Sequence, residues 1–189
     1  MEEREPVIEE LCASYLPTRE DYCDYKTAAC HAACRPREAL ALRVSGIALV
    51  LLGILFWTLW GRTGYVQTIA DCLLVLLGVL LGSWQDALMP YFIRRSAGAY
   101  YDANKERMIA KNLLFTDHTV QIKTGRYEAH LDYGLLFRAY EDKKMFLLYT
   151  GEEESHFVPK RALTEAQAAL LRGWLSTAMG EKFRQEGIR

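Results

Sequence analysis

Three cysteines, Cys23, Cys30 and Cys34, recur at spacings of seven and four with His31 beside them. On a helix they would share one face, and thiolates with an imidazole at such spacing are a zinc-ligand pattern. They also stand among Ala28, Ala29, Ala32 and Ala33, where reduced cysteine serves as a small apolar residue. Paired Cys-x-x-Cys knuckles are absent, and Cys12 and Cys72 read as structural. His130 and Asp132, two apart on an expected strand, could face each other as an acid/base pair. Asp71 lies inside an apolar run, where a carboxylate is a candidate for proton or ion handling. The remaining chemistry is basic: Lys123 and Arg126 about one turn, Lys143 and Lys144 at another, Lys160 and Arg161 after Pro159. Cations on turns can meet the negative headgroups of an inner leaflet, each contributing about 1 kcal/mol. They can equally be solvated turns beside Asp142 and Glu152 to Glu154.

The elements that must position these groups follow from charge. Residues 1–43 carry six Lys/Arg and nine Asp/Glu, and residues 94–189 carry sixteen and thirteen. Between them, residues 44–93 hold only Arg62, Asp71 and Asp86. The mean hydropathy of −0.06 therefore averages over unlike parts. Val44 to Trp60 has no ionisable group, and Val66 to Trp84 has only Asp71. Each run is close to the ~17–25 residues a helix needs to cross ~30 Å of hydrocarbon. Joined by Gly61-Arg62-Thr63-Gly64-Tyr65, spans 44–60 and 66–84 are expected to form an antiparallel transmembrane hairpin over 44–86. Arg35, Arg37 and Arg43 before it, and Arg94 and Arg95 after it, place both termini in the cytoplasm. Trp57, Trp60, Tyr65, Trp84 and Tyr91 would mark the interfaces. Gly46, Gly53, Gly78 and Gly82 are the small residues through which helices pack, within one hairpin or between copies in a homo-oligomer.

A helix is expected from Thr18 through Ala33 in the cytoplasmic N-terminal segment 1–43, with Glu20 and Asp21 in its first turn. A juxtamembrane helix continues past Pro90 to about Ile109 within 87–110. Then the period changes: Val120 and Ile122, and Tyr127, Ala129 and Leu131, alternate with polar residues around Thr124-Gly125. Leu135 to Tyr140 and Met145 to Tyr149 follow about the Glu141–Lys144 turn, then Ser155 to Pro159. Such strands suggest a small barrel or sandwich. Thr164 with Gln167 three residues on is a capping box, and Leu163, Leu170, Leu171, Trp174, Leu175 and Ala178 form an apolar stripe running to about Phe183. The fold class expected is a membrane α+β protein.

This order of elements, with Tyr140-Glu-Asp-Lys-Lys-Met-Phe-Leu-Leu-Tyr149 and Phe157-Val-Pro-Lys-Arg-Ala-Leu163, resembles the YcxB-like family of bacterial membrane proteins. The resemblance implies a two-span hairpin of the inner membrane carrying a pleckstrin-homology-like (PH-like) cytoplasmic domain at 111–189, a barrel or sandwich capped by the last helix. It carries no settled activity.

Walker, nucleophile-elbow and His-Glu-x-x-His motifs are absent, and residues 94–189 lack the basic footprint of a nucleic-acid binder. A non-enzymatic, membrane-anchored binding or adaptor module without cofactor is the expected function. Its ligand would be a protein partner at the cytoplasmic face or anionic lipid headgroups, met through Lys123, Arg126, Lys143, Lys144, Lys160 and Arg161. A structural role through glycine-driven oligomerisation is the alternative, and a small enzyme or metal protein built on His130 and Asp132 or on the Cys23, Cys30 and Cys34 face the third reading.

Overall fold

The structure is a computed structural model describing residues 10–34, 36–60, 64–125, 127–152 and 154–185. Arg35, Arg62 and Arg126 lie outside the described residues. The chain divides into two compact units, one of described residues up to Ala29 and from Ala97 onward, the other Cys30–Ser96.

The first unit is built on two four-stranded sheets. β1 (Leu11–Tyr15), β2 (Lys111–Phe115), β3 (Thr119–Thr124) and β4 (Tyr127–Asp132) pair antiparallel in that order. Leu11, Ala13 and Tyr15 of β1 turn inward and their neighbours outward, the period of two a half-buried strand requires. Leu113, Phe115, Val120 and Ile122 continue that buried face. The second sheet runs β7 (Ser155–Pro159), β6 (Met145–Tyr149), β5 (Arg138–Glu141), β8 (Phe183–Gln185). β6 is buried at every position, as its unbroken apolar sequence demands. β8 joins β5 in parallel. The sheets do not close into a barrel. At one edge, the Tyr15 hydroxyl donates to the Phe157 carbonyl, and the two rings lie 5.7 Å apart. Tyr133, sealed from solvent, donates its hydroxyl to the Thr116 carbonyl at 2.8 Å.

Helix α5 (Glu165–Met179) opens on the expected reciprocal box, Thr164 accepting from the Gln167 N–H and Gln167 from the Thr164 N–H. Ala168, Leu171, Leu175 and Met179 bury its apolar stripe, and it packs against β5 and β8. It stops before Gly180, whose φ of 52° suits glycine, so Phe183 begins a strand instead of ending the helix. Helix α1 (Arg19–Ala33) occupies the expected residues.

In Cys30–Ser96, α2 (Pro36–Trp60) begins well before the expected span, since proline is favoured in a helix's first turn. It packs against α3 (Tyr65–Ser83). A π-helical turn, Trp84–Leu88, then leads into α4 (Met89–Ala103). Pro90 has no N–H for the Asp86 carbonyl, and the wider turn absorbs the defect. α4 ends at Ala103 rather than near Ile109, giving way to a 3₁₀ turn at Lys105–Arg107. By length and composition, Arg37–Leu59 and Tyr65–Ala103 are both able to cross a membrane.

Candidate functional site

Thr18 and Asp21 begin the site. The Asp21 carboxylate accepts from the Thr18 N–H at 2.8 Å, and the Thr18 hydroxyl accepts from the Asp21 N–H at 3.2 Å. This reciprocal cap starts α1 and fixes the Asp21 carboxylate in place. Arg161, in the 3₁₀ turn Lys160–Ala162 that follows β7, grips it through two nitrogens, with Nε to Oδ1 at 2.9 Å. Burial pushes Asp21 up, but the Arg161 guanidinium and the Thr18 bonds outweigh it and hold the carboxyl below its ordinary range. One turn on, Asp24 takes the Lys144 ammonium at 2.7 Å from the β5–β6 turn. Deeper, Glu141 is 0% exposed. Arg172 of α5 donates to both its oxygens, at 2.8 and 2.6 Å, and the Lys160 ammonium lies 2.7 Å away. The hydrogen-bonded Glu141 raises the Arg172 pKa above the usual guanidinium value.

The fold therefore gathers Lys143, Lys144, Lys160 and Arg161 on one cleft of about 540 Å³, faced by Glu20, Asp21 and Asp24. Of the four, only Lys143 has no carboxylate within ion-pair distance among the described residues. Glu141, expected in a turn, instead ends β5 inside the unit. What looked like a basic display is mostly an internal electrostatic seam joining α1 to the second sheet. Lys123 lies apart on the β3–β4 hairpin, 3.2 Å from Glu128, whose carboxyl it holds below the ordinary value. Arg126, its expected companion, is outside the described residues.

The acidic half was missed because Asp21 read only as a first-turn acid of a helix and Asp24 was given no role. Their spacing of three, which places both on one face, was the available signal. Arg172, a lone cation inside the α5 stripe, was the corresponding signal for Glu141.

The other expected groups do not converge. The Asp132 carboxylate accepts from the Gly134 N–H at 2.7 Å, and the exposed His130 lies 3.9 Å from Glu128, so no acid/base pair forms between them. Among the described residues, no three His, Cys, Asp or Glu side chains are grouped to hold a metal. Cys23 is buried, and burial together with neighbouring Cys34 raises the Cys30 thiol. In the hairpin, a Cβ on Gly46 would meet the Gly78 carbonyl at 2.7 Å, and one on Gly53 the Val75 side chain at 2.7 Å. A Cβ on Gly78 would lie 2.7 Å from the Gly46 carbonyl, whereas one on Gly82 would meet nothing within 4 Å. Thus Gly46, Gly53 and Gly78 leave no room for a Cβ within one chain, and the Gly82 backbone packs against Gly46, whose Cβ would lie 2.6 Å from the Gly82 nitrogen.

Residues 115–175 match the family model described as YcxB-like protein. The match contains Glu141, Lys160, Arg161 and Arg172 but neither Asp21 nor Asp24, nor any of the hairpin. No curated protein and no solved structure matches the chain.

Proposed function

We propose, for a chain whose residues 115–175 are YcxB-like, a non-enzymatic binding module of the bacterial inner membrane. In this reading α2 and α3 span the bilayer with both chain ends cytoplasmic, and a PH-like domain meets a ligand at the inner face. The observation carrying it is that β1, which precedes the hairpin in sequence, pairs residue for residue with β2, which follows it. A sheet cannot form across hydrocarbon, so the two flanks share one side of any membrane the hairpin crosses. The exposed leucines and isoleucines of α2 and α3 support lipid as their surroundings, because water-soluble proteins seldom leave so continuous an apolar surface. Arg37, Arg43, Arg94 and Arg95 flank the spans and favour the cytoplasmic side. Two sheets with α5 packed on β5 and β8 support the PH-like comparison.

The test is topology. The full chain should sediment with membranes, resist carbonate extraction, and report the cytoplasm from tags at both Met1 and Arg189. Tags on opposite sides, or a chain released by carbonate, would overturn the proposal.

A further inference from the structure

A second cleft, of about 290 Å³, opens where the start of α1 meets β2 and β7. Its walls carry Lys26, Arg107 and Lys111, with the rings of Tyr22, Tyr25 and Phe157, and no carboxylate lines it. Among the described residues none of these three cations has an acidic partner within ion-pair distance. This sets the cleft apart from the Asp21–Arg161 seam, where nearly every cation is matched.

The two lysines lie over aromatic faces instead. The Lys111 ammonium lies 4.9 Å from the Phe157 ring centroid, and the Lys26 ammonium 5.1 Å from that of Tyr25. Tyr25 and Phe157 stack at 4.8 Å, and the Tyr25 and Ser155 hydroxyls are 3.0 Å apart. An ammonium over a ring gains less than one paired with an anion. Lys111 is half-buried, and that burial alone lowers its pKa. Like charges drawn together without a counter-charge make a concave positive field that an anion would neutralise.

We propose that this cleft binds an organic phosphate. The phosphate is held by Lys26, Arg107 and Lys111, and the planar or apolar part of the ligand lies against Tyr22, Tyr25 and Phe157. Ammonium and guanidinium groups both donate charge-assisted hydrogen bonds to phosphate oxygens, and the volume accommodates a phosphorylated ring. A lipid headgroup and a soluble ester both present such a phosphate, and the recognising chemistry is the same. The assignment deepens the binding-module reading by naming the ligand class of that module.

The experiment is calorimetric titration of phenyl phosphate into the full chain in nanodiscs of zwitterionic phosphatidylcholine. Saturable binding is expected, with phenol at least about ten-fold weaker because it lacks the anion. Lys111→Met, which keeps the apolar stem, should weaken phenyl phosphate at least about ten-fold. Arg107→Gln alters an exposed side chain, so it serves as the second variant if Lys111→Met fails to fold, and should weaken binding several-fold. Doping the nanodiscs with phosphatidic acid separates the sources. Competition with phenyl phosphate assigns the site to a lipid headgroup, and undiminished binding assigns it to a soluble ester. Absence of saturable binding, or equal affinity in wild type and the Lys111→Met/Arg107→Gln double variant, would overturn the cleft. Either result would leave membrane anchoring standing, just as carbonate release of the chain would overturn anchoring alone.

Discussion

In the Cys30–Ser96 unit the buried described positions are Gly46, Gly53 and Gly78, while Leu51 is 60% and Ile54 52% exposed. In the other unit Phe115, Phe146 and Leu148 are sealed, and a carboxylate, Glu141, is sealed with them. With the hairpin in a bilayer, as proposed above, the two units would solve opposite problems. A chain folding in water must withdraw apolar area, gaining about 25 cal/mol per Å², and every charge it withdraws as well must be matched. A helix pair in hydrocarbon gains nothing by hiding leucine, so its contact is made where backbones approach most closely. The comparison teaches that burial alone does not identify a core: the solvent decides which residues are worth burying.

The largest expected effect comes from unmatching the buried charge. Arg172→Met leaves Glu141 with Lys160 alone and should cost roughly 3–5 kcal/mol, read as a lowered denaturation midpoint of the two-sheet unit. Replacing the whole cluster, Glu141→Met/Lys160→Met/Arg172→Met, should recover much of that loss, because the penalty belongs to the orphaned charge more than to the absent bond. The contrast lies in the hairpin unit, where Arg43 and Asp86 pair at 2.6 Å with both side chains more than half exposed. Arg43→Met there should cost below about 1 kcal/mol. Equal losses from Arg172→Met and Arg43→Met would erase the distinction.

The next effect tests the other side. Gly78→Ala puts a methyl 2.7 Å from the Gly46 carbonyl oxygen and 2.9 Å from the Val50 amide nitrogen, backbone atoms that cannot turn aside. It should cost about 1–3 kcal/mol in detergent unfolding of the hairpin. Gly82→Ala, whose methyl would have nothing within 4 Å, should be neutral or slightly stabilising through helix propensity. Indistinguishable responses from the two variants would mean the glycine seam does not hold α2 to α3.

Local patterns were legible in the sequence, and distant ones were not. The hairpin is marked by a charge-free run and a run with one acid, and α5 by a cap and its partner three residues later. β3 and β4 are sequence neighbours whose alternation is visible on both sides of one turn. β1 alternates just as cleanly, but its partner strand begins at Lys111, so five residues preceding a helix gave no cue to a sheet. β8 is three residues long and takes its meaning from β5. The same limit governed the site. Lys144, Lys160 and Arg161 were visible as cations on turns, yet their acids Asp24, Glu141 and Asp21 are identified as partners only after folding. Glu141 stood in a Glu-Asp-Lys-Lys turn pattern, and nothing nearby marked it for burial. The cleft brings Lys26 of α1 to Arg107 and Lys111, some eighty residues on, and had no local signature.

The smallest effect is one of pH, and it sharpens the contrast because it belongs to the two-sheet unit. Burial and the neighbouring Lys111 ammonium hold the His156 imidazole below its ordinary pKa of 6.5, against an opposing pull from Glu154. The folded form therefore binds its proton less readily than the unfolded chain does. Between the lowered folded value and the ordinary one, the unfolded chain carries more protons, so stability rises with pH across that window. The contribution is complete above the ordinary value and is lost as the pH falls through the folded one. Asp21, also held low, loses its contribution further down, below the usual carboxylate range, so the two windows separate. Denaturation midpoints at about pH 7.5 and about pH 5.5 should differ in the wild type and differ less in His156→Gln. A neutralising anion beside Lys111 would lift the His156 value and shrink the same difference. If the pH response of His156→Gln equals that of the wild type, the imidazole is not the group that titrates.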